Sequence, residues 1–158
     1  MKSSENYLSF HDSNKELRLN SNVIEKFREY QQIGNKKESG GVLLGKIYND
    51  YDEILEITTP NRFDNRGLFF FIRSRKPAQV EINRKWKQSE GKLIYLGEWH
   101  THSEINPIPS STDKEMIQQM LNTTKMEIDY LYLIIVGLEN TFYVGRKSYS
   151  SLNPLNIL

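Results

Sequence analysis

The chain has 158 residues, room for one compact domain, and residues 1–158 are read as that single domain. It contains no cysteine, which excludes a thiol nucleophile, a cysteine-ligated zinc and a disulfide scaffold. Basic residues number 21 against 20 acidic, a net charge of +1, so no strong field draws in nucleic acid or an anionic membrane.

The apolar runs Leu68-Phe69-Phe70-Phe71-Ile72 and Leu133-Ile134-Ile135-Val136 fall far short of the ~20 residues of a membrane span. The polar start, Met1 to Asn6, is no signal peptide, so a soluble cytoplasmic protein is expected. Val23, Ile24, Phe27 and Tyr30 recur at helical spacing. Asn22 with Glu25 three residues on gives that helix a capping-box-like start, and Gly34 gives a stop. Gly40 to Tyr48 reads as a strand, Glu53 to Thr59 as its partner ended by Pro60, and Leu68 to Arg73 as a third strand. Pro77 opens a second helix with Ala78, Ile82 and Trp86 on one stripe, ending near Gly91. Lys92 to His100 is a fourth strand, followed by a proline-bearing loop from Ser103 to Pro109. A third helix runs from about Thr112 to Asn122 with Met116, Ile117, Met120 and Leu121 inward. Tyr130 to Val136 and Thr141 to Lys147 are two further strands around a turn at Gly137 to Asn140, and Tyr149 to Leu158 carry no clear pattern. Strict βα alternation is absent, so the expected class is α/β or α+β, with a mixed sheet flanked by helices.

Only three histidines are present: His11, His100 and His102. Strand side chains alternate faces, so His100 and His102 point the same way at a strand end and can reach one metal ion. A lone H-x-H is a weak signal. Asp113 strengthens it, lying three and four residues before Met116 and Ile117 and so on the inward face of the third helix's first turn. A carboxylate directed inward is costly unless paired or ligated. The plainer reading is that Asp113 and Glu115 favour a helix N-terminus, with Ser110 or Thr112 as cap. Two imidazoles and a carboxylate are the ligand set of a catalytic zinc, with a fourth position for water. Hydrolysis then needs a glutamate as general base and a hydroxyl, such as Ser110, to stabilise the oxyanion.

Taken together, these residues resemble the JAB/MPN metallo-isopeptidases, the JAMM proteases. That signature is an upstream glutamate, then H-[ST]-H, seven residues, and S-x-x-D. Here His100-Thr101-His102 is followed by Ser103 to Pro109, then Ser110-Ser111-Thr112-Asp113. Glu38-Ser39-Gly40-Gly41-Val42-Leu43-Leu44-Gly45 looks like the family's glutamate-bearing segment, and the resemblance spans about Val23 to Lys147. It implies a cytidine-deaminase-like mixed sheet. It also implies one zinc per chain held by His100, His102 and Asp113, with Glu38 as general base and Ser110 as oxyanion donor. Ser103 stands where many members have proline, a change expected to act on loop rigidity.

Tyr95 to His102 with Glu104, a helix containing Trp86 and a Phe-rich strand ending in Arg73 are similar to the bacterial JAB proteases of CBASS antiphage operons. That resemblance implies removal of a ubiquitin-like-conjugated protein, a cGAS-like nucleotidyltransferase joined through its C-terminal tail. Processing of a sulfur-carrier or ubiquitin-like precursor, and a non-catalytic MPN scaffold, stay open as alternatives. A zinc cytidine deaminase needs P-C-x-x-C, and amidohydrolase barrels need more histidines and ~250 residues.

Of the remaining residues, His11 reads as a surface histidine and Trp99 as core. Glu98, on the His100 face, is either a partner orienting a ligand or an ordinary strand residue. Ser111 is a backup to Ser110. Arg62, Arg66, Arg73, Arg75 and Lys76 mark a basic stretch, and Leu68 to Arg73 is expected near a sheet edge that receives a substrate tail.

Overall fold

A computed structural model describes residues 6–68, 71–124 and 128–157. Fourteen elements follow one another: β1 (Tyr7–His11), β2 (Glu16–Asn20), α1 (Ser21–Glu29), β3 (Gly40–Ile47), β4 (Tyr51–Ile57), β5 (Asn65–Arg66), β6 (Phe71–Ile72), α2 (Arg75–Gln88), β7 (Ile94–Thr101), α3 (Ser111–Thr123), β8 (Tyr130–Val136), β9 (Phe142–Ser148), β10 (Leu152–Pro154) and β11 (Asn156–Ile157). Nine strands form one mixed sheet in the order β10-β9-β8-β7-β3-β4-β2-β1-β11, while β5 and β6 make a separate two-stranded sheet. The pairs β2/β4 and β7/β8 are parallel; their neighbours are antiparallel. This is the mixed α/β class that the irregular element order predicts.

Helices cover both faces of the sheet. On one face Val23, Ile24 and Phe27 of α1 pack with Leu17, Leu19, Leu43, Ile54, Trp99 and Ile134. Trp99 is 1% exposed, lies 5.2 Å from Phe27, and donates its indole N–H to the Thr58 carbonyl at 2.9 Å, so its core role holds. On the other face Ala78 of α2 and Ile117 and Leu121 of α3 pack with Val42, Leu44, Tyr95, Leu133 and Ile135. The long buried runs of β7 and β8 follow from this double cover, because a strand buried on both sides loses its polar alternation.

Several expectations shift. Asn20, not Asn22, caps α1, its side chain accepting from the Asn22 N–H at 2.9 Å. Pro77 sits in the first turn of α2, where a missing N–H costs nothing. Trp86 leaves the buried stripe and is 52% exposed. Its ring instead lies against the turn after α2, where a Cβ on Gly91 would come within 3.3 Å of it. The third strand shrinks to Phe71 and Ile72, which pair only with β5; Phe69 and Phe70 lie outside the described residues. Five strands, β1, β2, β5, β10 and β11, lie where the sequence pattern gave none. Each is five residues or fewer, so its alternation is too short to stand out.

Among the described residues no helix is long and apolar enough to cross a membrane.

Candidate metal centre and active site

The site forms where β3 and α3 begin and β7 ends. His100 lies in β7 opposite Gly40 of β3. One residue further, Ser39 and Thr101 bind each other: the Thr101 N–H donates to the Ser39 carbonyl at 2.9 Å, and the Ser39 N–H to Thr101 Oγ1 at 2.9 Å. Residues facing each other across an antiparallel pair share a face. Extending this register puts Glu38 across from His102, and Glu38, His100 and His102 on one side of the sheet. Gly40 shares that side, where a Cβ would come within 2.6 Å of the Phe71 ring and the Trp99 carbonyl. The position therefore accepts only glycine.

Asp113 arrives from α3. Ser110 is the N-cap: its Oγ accepts from the Asp113 N–H at 3.1 Å, and Asp113 Oδ2 accepts from the Ser110 N–H at 2.8 Å. This capping box fixes the first turn and aims the carboxylate at the histidines. Asp113 Oδ1 lies 3.0 Å from His100 Nε2, and Oδ2 lies 3.2 Å from His102 Nε2. The imidazole centroids are 5.0 Å apart, and one donor atom from each of the three residues lies within 4.8 Å of the others. Capping and inward direction, alternatives in the sequence, are both realised in one residue.

The electrostatics fit a cation. Burial works to raise the Asp113 pKa, but the close approach of His100 and His102 outweighs it and holds the carboxyl far below its usual range. His100 is 4% exposed, and its Nε2, though near Asp113, makes no hydrogen bond of acceptable geometry; nor does the buried His102 Nδ1. Buried ring nitrogens are normally partnered. Imidazole nitrogens and a carboxylate oxygen converging in this way suit a divalent ion of the zinc type. Burial pushes Glu38 up to about 7, with His102 opposing and Asp113 and Glu104 adding to the rise. A carboxyl that changes protonation near neutrality suits a group that takes a proton and later returns it.

The loop after His102 is tied down without the proline that Ser103 replaces. The His102 N–H donates to the Val136 carbonyl at 3.0 Å, and the Leu138 N–H to the Glu104 carbonyl at 2.7 Å. Ser111 belongs to the first turn of α3 and makes no part of the cap. His11 lies in β1, paired with Glu16 of β2, away from this group.

Glu98 points to the His100 face but does not bind a histidine. It takes Arg73 Nε at 2.7 and 3.1 Å and the Tyr95 hydroxyl at 3.1 Å. A bulge allows this. Leu43 pairs with Gly97 but Leu44 with Tyr95, so Leu96 is skipped and Tyr95 and Glu98 share a face. Gly97 has φ +150°, and a Cβ there would fall 1.9 Å from the Tyr132 carbonyl, so the bulge requires glycine. Arg73 is thus occupied inside the protein rather than displayed to a partner, and β6 is no edge of the main sheet. Sequence reasoning missed both this ion pair and the bonds from Arg66 to the Glu38 carbonyl and Ser39 Oγ, because no local spacing links residues so far apart in the chain.

Comparison with known proteins gives the family and the fold. Residues 20–148 match the model for prokaryotic homologs of the JAB domain. A Pseudomonas aeruginosa protein called "CD-NTase/cGAS isopeptidase" is 31% identical over 129 residues, covering 81% of this chain and 80% of its own length. A Vibrio cholerae protein of the same name is 31% identical over 126 residues, covering 79% and 78%. A solution structure of a Desulfitobacterium hafniense protein superposes with a TM-score of 0.61 at 18% identity over 89% of this chain and 90% of that one, a likeness of fold.

Proposed function

The chain belongs to the family of prokaryotic JAB-domain proteins, and from that premise we propose that it is a zinc-dependent isopeptidase. In this reading one cytoplasmic domain of 158 residues hydrolyses the amide bond joining the C-terminal tail of a cGAS-like nucleotidyltransferase to its conjugated protein, in a CBASS antiphage system. The relatives named for that substrate class support it. The observation that carries it is the meeting of His100, His102 and Asp113 donor atoms within 4.8 Å.

His100, His102 and Asp113 would hold the zinc. Bound there, zinc supplies Lewis acidity and a water activated near neutral pH. Glu38, on the same side of the sheet, takes the proton of the attacking water and returns it to the departing amine. Its elevated pKa suits both halves of that task. Ser110 uses its Oγ lone pair to accept the Asp113 N–H and keeps its own O–H to donate to the oxyanion. Capping and catalysis are therefore compatible in one hydroxyl.

The test is cleavage of a purified nucleotidyltransferase conjugate by wild type and Glu38→Gln, with metal quantified in both. One zinc per chain is expected in each, and turnover ~10²–10⁴-fold lower in the variant. A fully active Glu38→Gln protein removes the general base, and full zinc retention in both His100→Ala and Asp113→Ala refutes the ligand set.

A further inference from the structure

Glu38 lies just before β3, at a place where the sheet supports it on one side only. Towards β7, Ser39 is bound to Thr101. Towards β4, pairing ends as the Thr58 N–H donates to the Val42 carbonyl at 3.1 Å, four residues short of Glu38. The β5–β6 unit fills that side. The Glu38 N–H donates to the Gly67 carbonyl at 2.7 Å. The Glu38 carbonyl accepts from Arg66 Nε at 2.8 Å, while a terminal nitrogen of Arg66 donates to Ser39 Oγ at 2.8 Å. The β5–β6 unit is itself anchored. Gln32 donates to the Leu68 carbonyl at 2.6 Å, the Ser74 N–H to Asp64 at 2.8 Å, and Arg73 is locked to buried Glu98.

Both main-chain groups of Glu38 are therefore held by residues 66 and 67, and neither bond touches its carboxylate. The guanidinium is planar, so its two bonds fix direction as well as distance. Among the described residues Arg66 has no ion-pair partner, so its side chain is spent on a carbonyl and a hydroxyl. We infer that Arg66 is a positioning residue for Glu38: it clamps the backbone of the general base to the β5–β6 hairpin and so sets where the Glu38 carboxylate meets the substrate. The inference rests on the hydrolytic reading for its kinetic consequence and on the hydrogen bonds alone for its structural one. A displacement of about 1 Å at a proton-transferring group can cost ~10²-fold in rate.

The zinc-loaded full chain is compared as wild type, Arg66→Ala, Arg66→Lys, Glu38→Gln and Glu38→Gln with Arg66→Ala. Arg66→Ala is expected to lower kcat about 10–100-fold with KM and zinc content unchanged. Lysine ends in a single ammonium rather than a fork, so Arg66→Lys falls between the two and serves as the readout if the alanine variant is poorly folded. In the Glu38→Gln background Arg66→Ala changes the residual rate by less than about twofold, because the group it positions is gone. Independently of turnover, amide exchange at Glu38 and Ser39 rises at least ~10-fold in Arg66→Ala, while exchange at Trp99 and Ile134 stays put.

A rise in KM with kcat intact overturns the inference. It would make Arg66 a direct substrate contact in the open cleft that it lines with Lys37, Arg62 and Asp64. Equal losses in both backgrounds, or unchanged exchange at Glu38, overturn it as well. A wild-type protein that cleaves nothing but shows the exchange difference defeats the hydrolase reading and leaves the clamp standing.

Discussion

Two carboxylates, one buried and one half-buried, stand near opposite ends of the same sheet and are treated differently. At the far end, Asp52 of β4 is fully buried. Its Oδ2 accepts from the Tyr130 and Tyr132 hydroxyls at 2.8 and 2.7 Å, and its Oδ1 lies 2.6 Å from Lys15 Nζ. Arg146 extends the group, bonding Asp12, the Lys15 carbonyl and Tyr132. At the other end, Asp113 meets two imidazoles and, among the described residues, no lysine or arginine. The first carboxylate is neutralised by the chain itself and joins the β1–β2 turn to β4, β8 and β9. The second gathers donor atoms from two imidazoles in place of a fixed cation. A buried carboxylate with its own cation is a structural tie; one that meets two imidazoles suits a metal ion.

The largest expected effect separates the two ends. Asp113→Ala should lose zinc and reduce conjugate cleavage to background, while the metal-free chain is destabilised by only about 1–2 kcal/mol through loss of its part in the helix cap. Metal analysis beside calorimetry reads both, and an Asp113→Ala protein that keeps its zinc breaks the contrast.

Asp52→Ala should do the reverse. Removing one partner of a buried pair strands Lys15 and two tyrosine hydroxyls, at a cost of about 3–5 kcal/mol, with zinc stoichiometry unchanged. Urea unfolding of the zinc-loaded variant measures it, and a loss below ~1 kcal/mol would show that the far-end cluster contributes little.

Chelation probes the metal end alone. Zinc binding to the folded chain stabilises it by about 4 kcal/mol when free metal exceeds its dissociation constant a thousandfold. The same increment, within about 0.5 kcal/mol, should be lost from wild type and from Asp52→Ala, because the clusters share no residues. Unequal losses would mean that the two ends are coupled.

The smallest effect is a pH dependence of the metal-free protein. Glu38 titrates at 4.5 without its environment and at about 7 in the fold, so between those values the folded chain holds a proton that the unfolded chain has released. Its contribution is most favourable below about 4.5 and declines as pH rises towards 7. Above that window, Glu38→Gln should be more stable than wild type by on the order of 2 kcal/mol, a difference that vanishes near pH 4. Glu98, raised to about 7 by burial, contributes the same slope to both proteins and drops out of the difference. Thermal melts of the two metal-free proteins between pH 4 and 8 test the sign.

How much of this was legible in the chain depends on how local each feature is. The alternation of His100 and His102 and the Ser110-to-Asp113 cap are set by neighbours two and three residues apart, so spacing alone announces them. Helix α3 and strand β8 were equally plain, having strong periods and long apolar runs. The β1–β2 hairpin and β10 and β11 were not, because such short strands gain their order from the sheet they join. Trp86 misled for the same reason: its spacing fits a stripe, but α2 buries only Ala78 fully.

The sequence by itself determined the donor types and the order in which they follow one another, since strand alternation and helix capping need only adjacent residues. The tertiary structure decided which end of which strand they meet at. It placed Glu38 opposite His102 through the Ser39–Thr101 pairing, gave Glu98 to Arg73 through the Gly97 bulge, and turned Arg66 onto the Glu38 backbone. Those contacts join residues 25 or more positions apart in three cases, Glu98 to Arg73, Arg66 to Glu38, and Ser39 to Thr101. Such pairings exist only once burial has removed the competing water, and no short-range pattern encodes them.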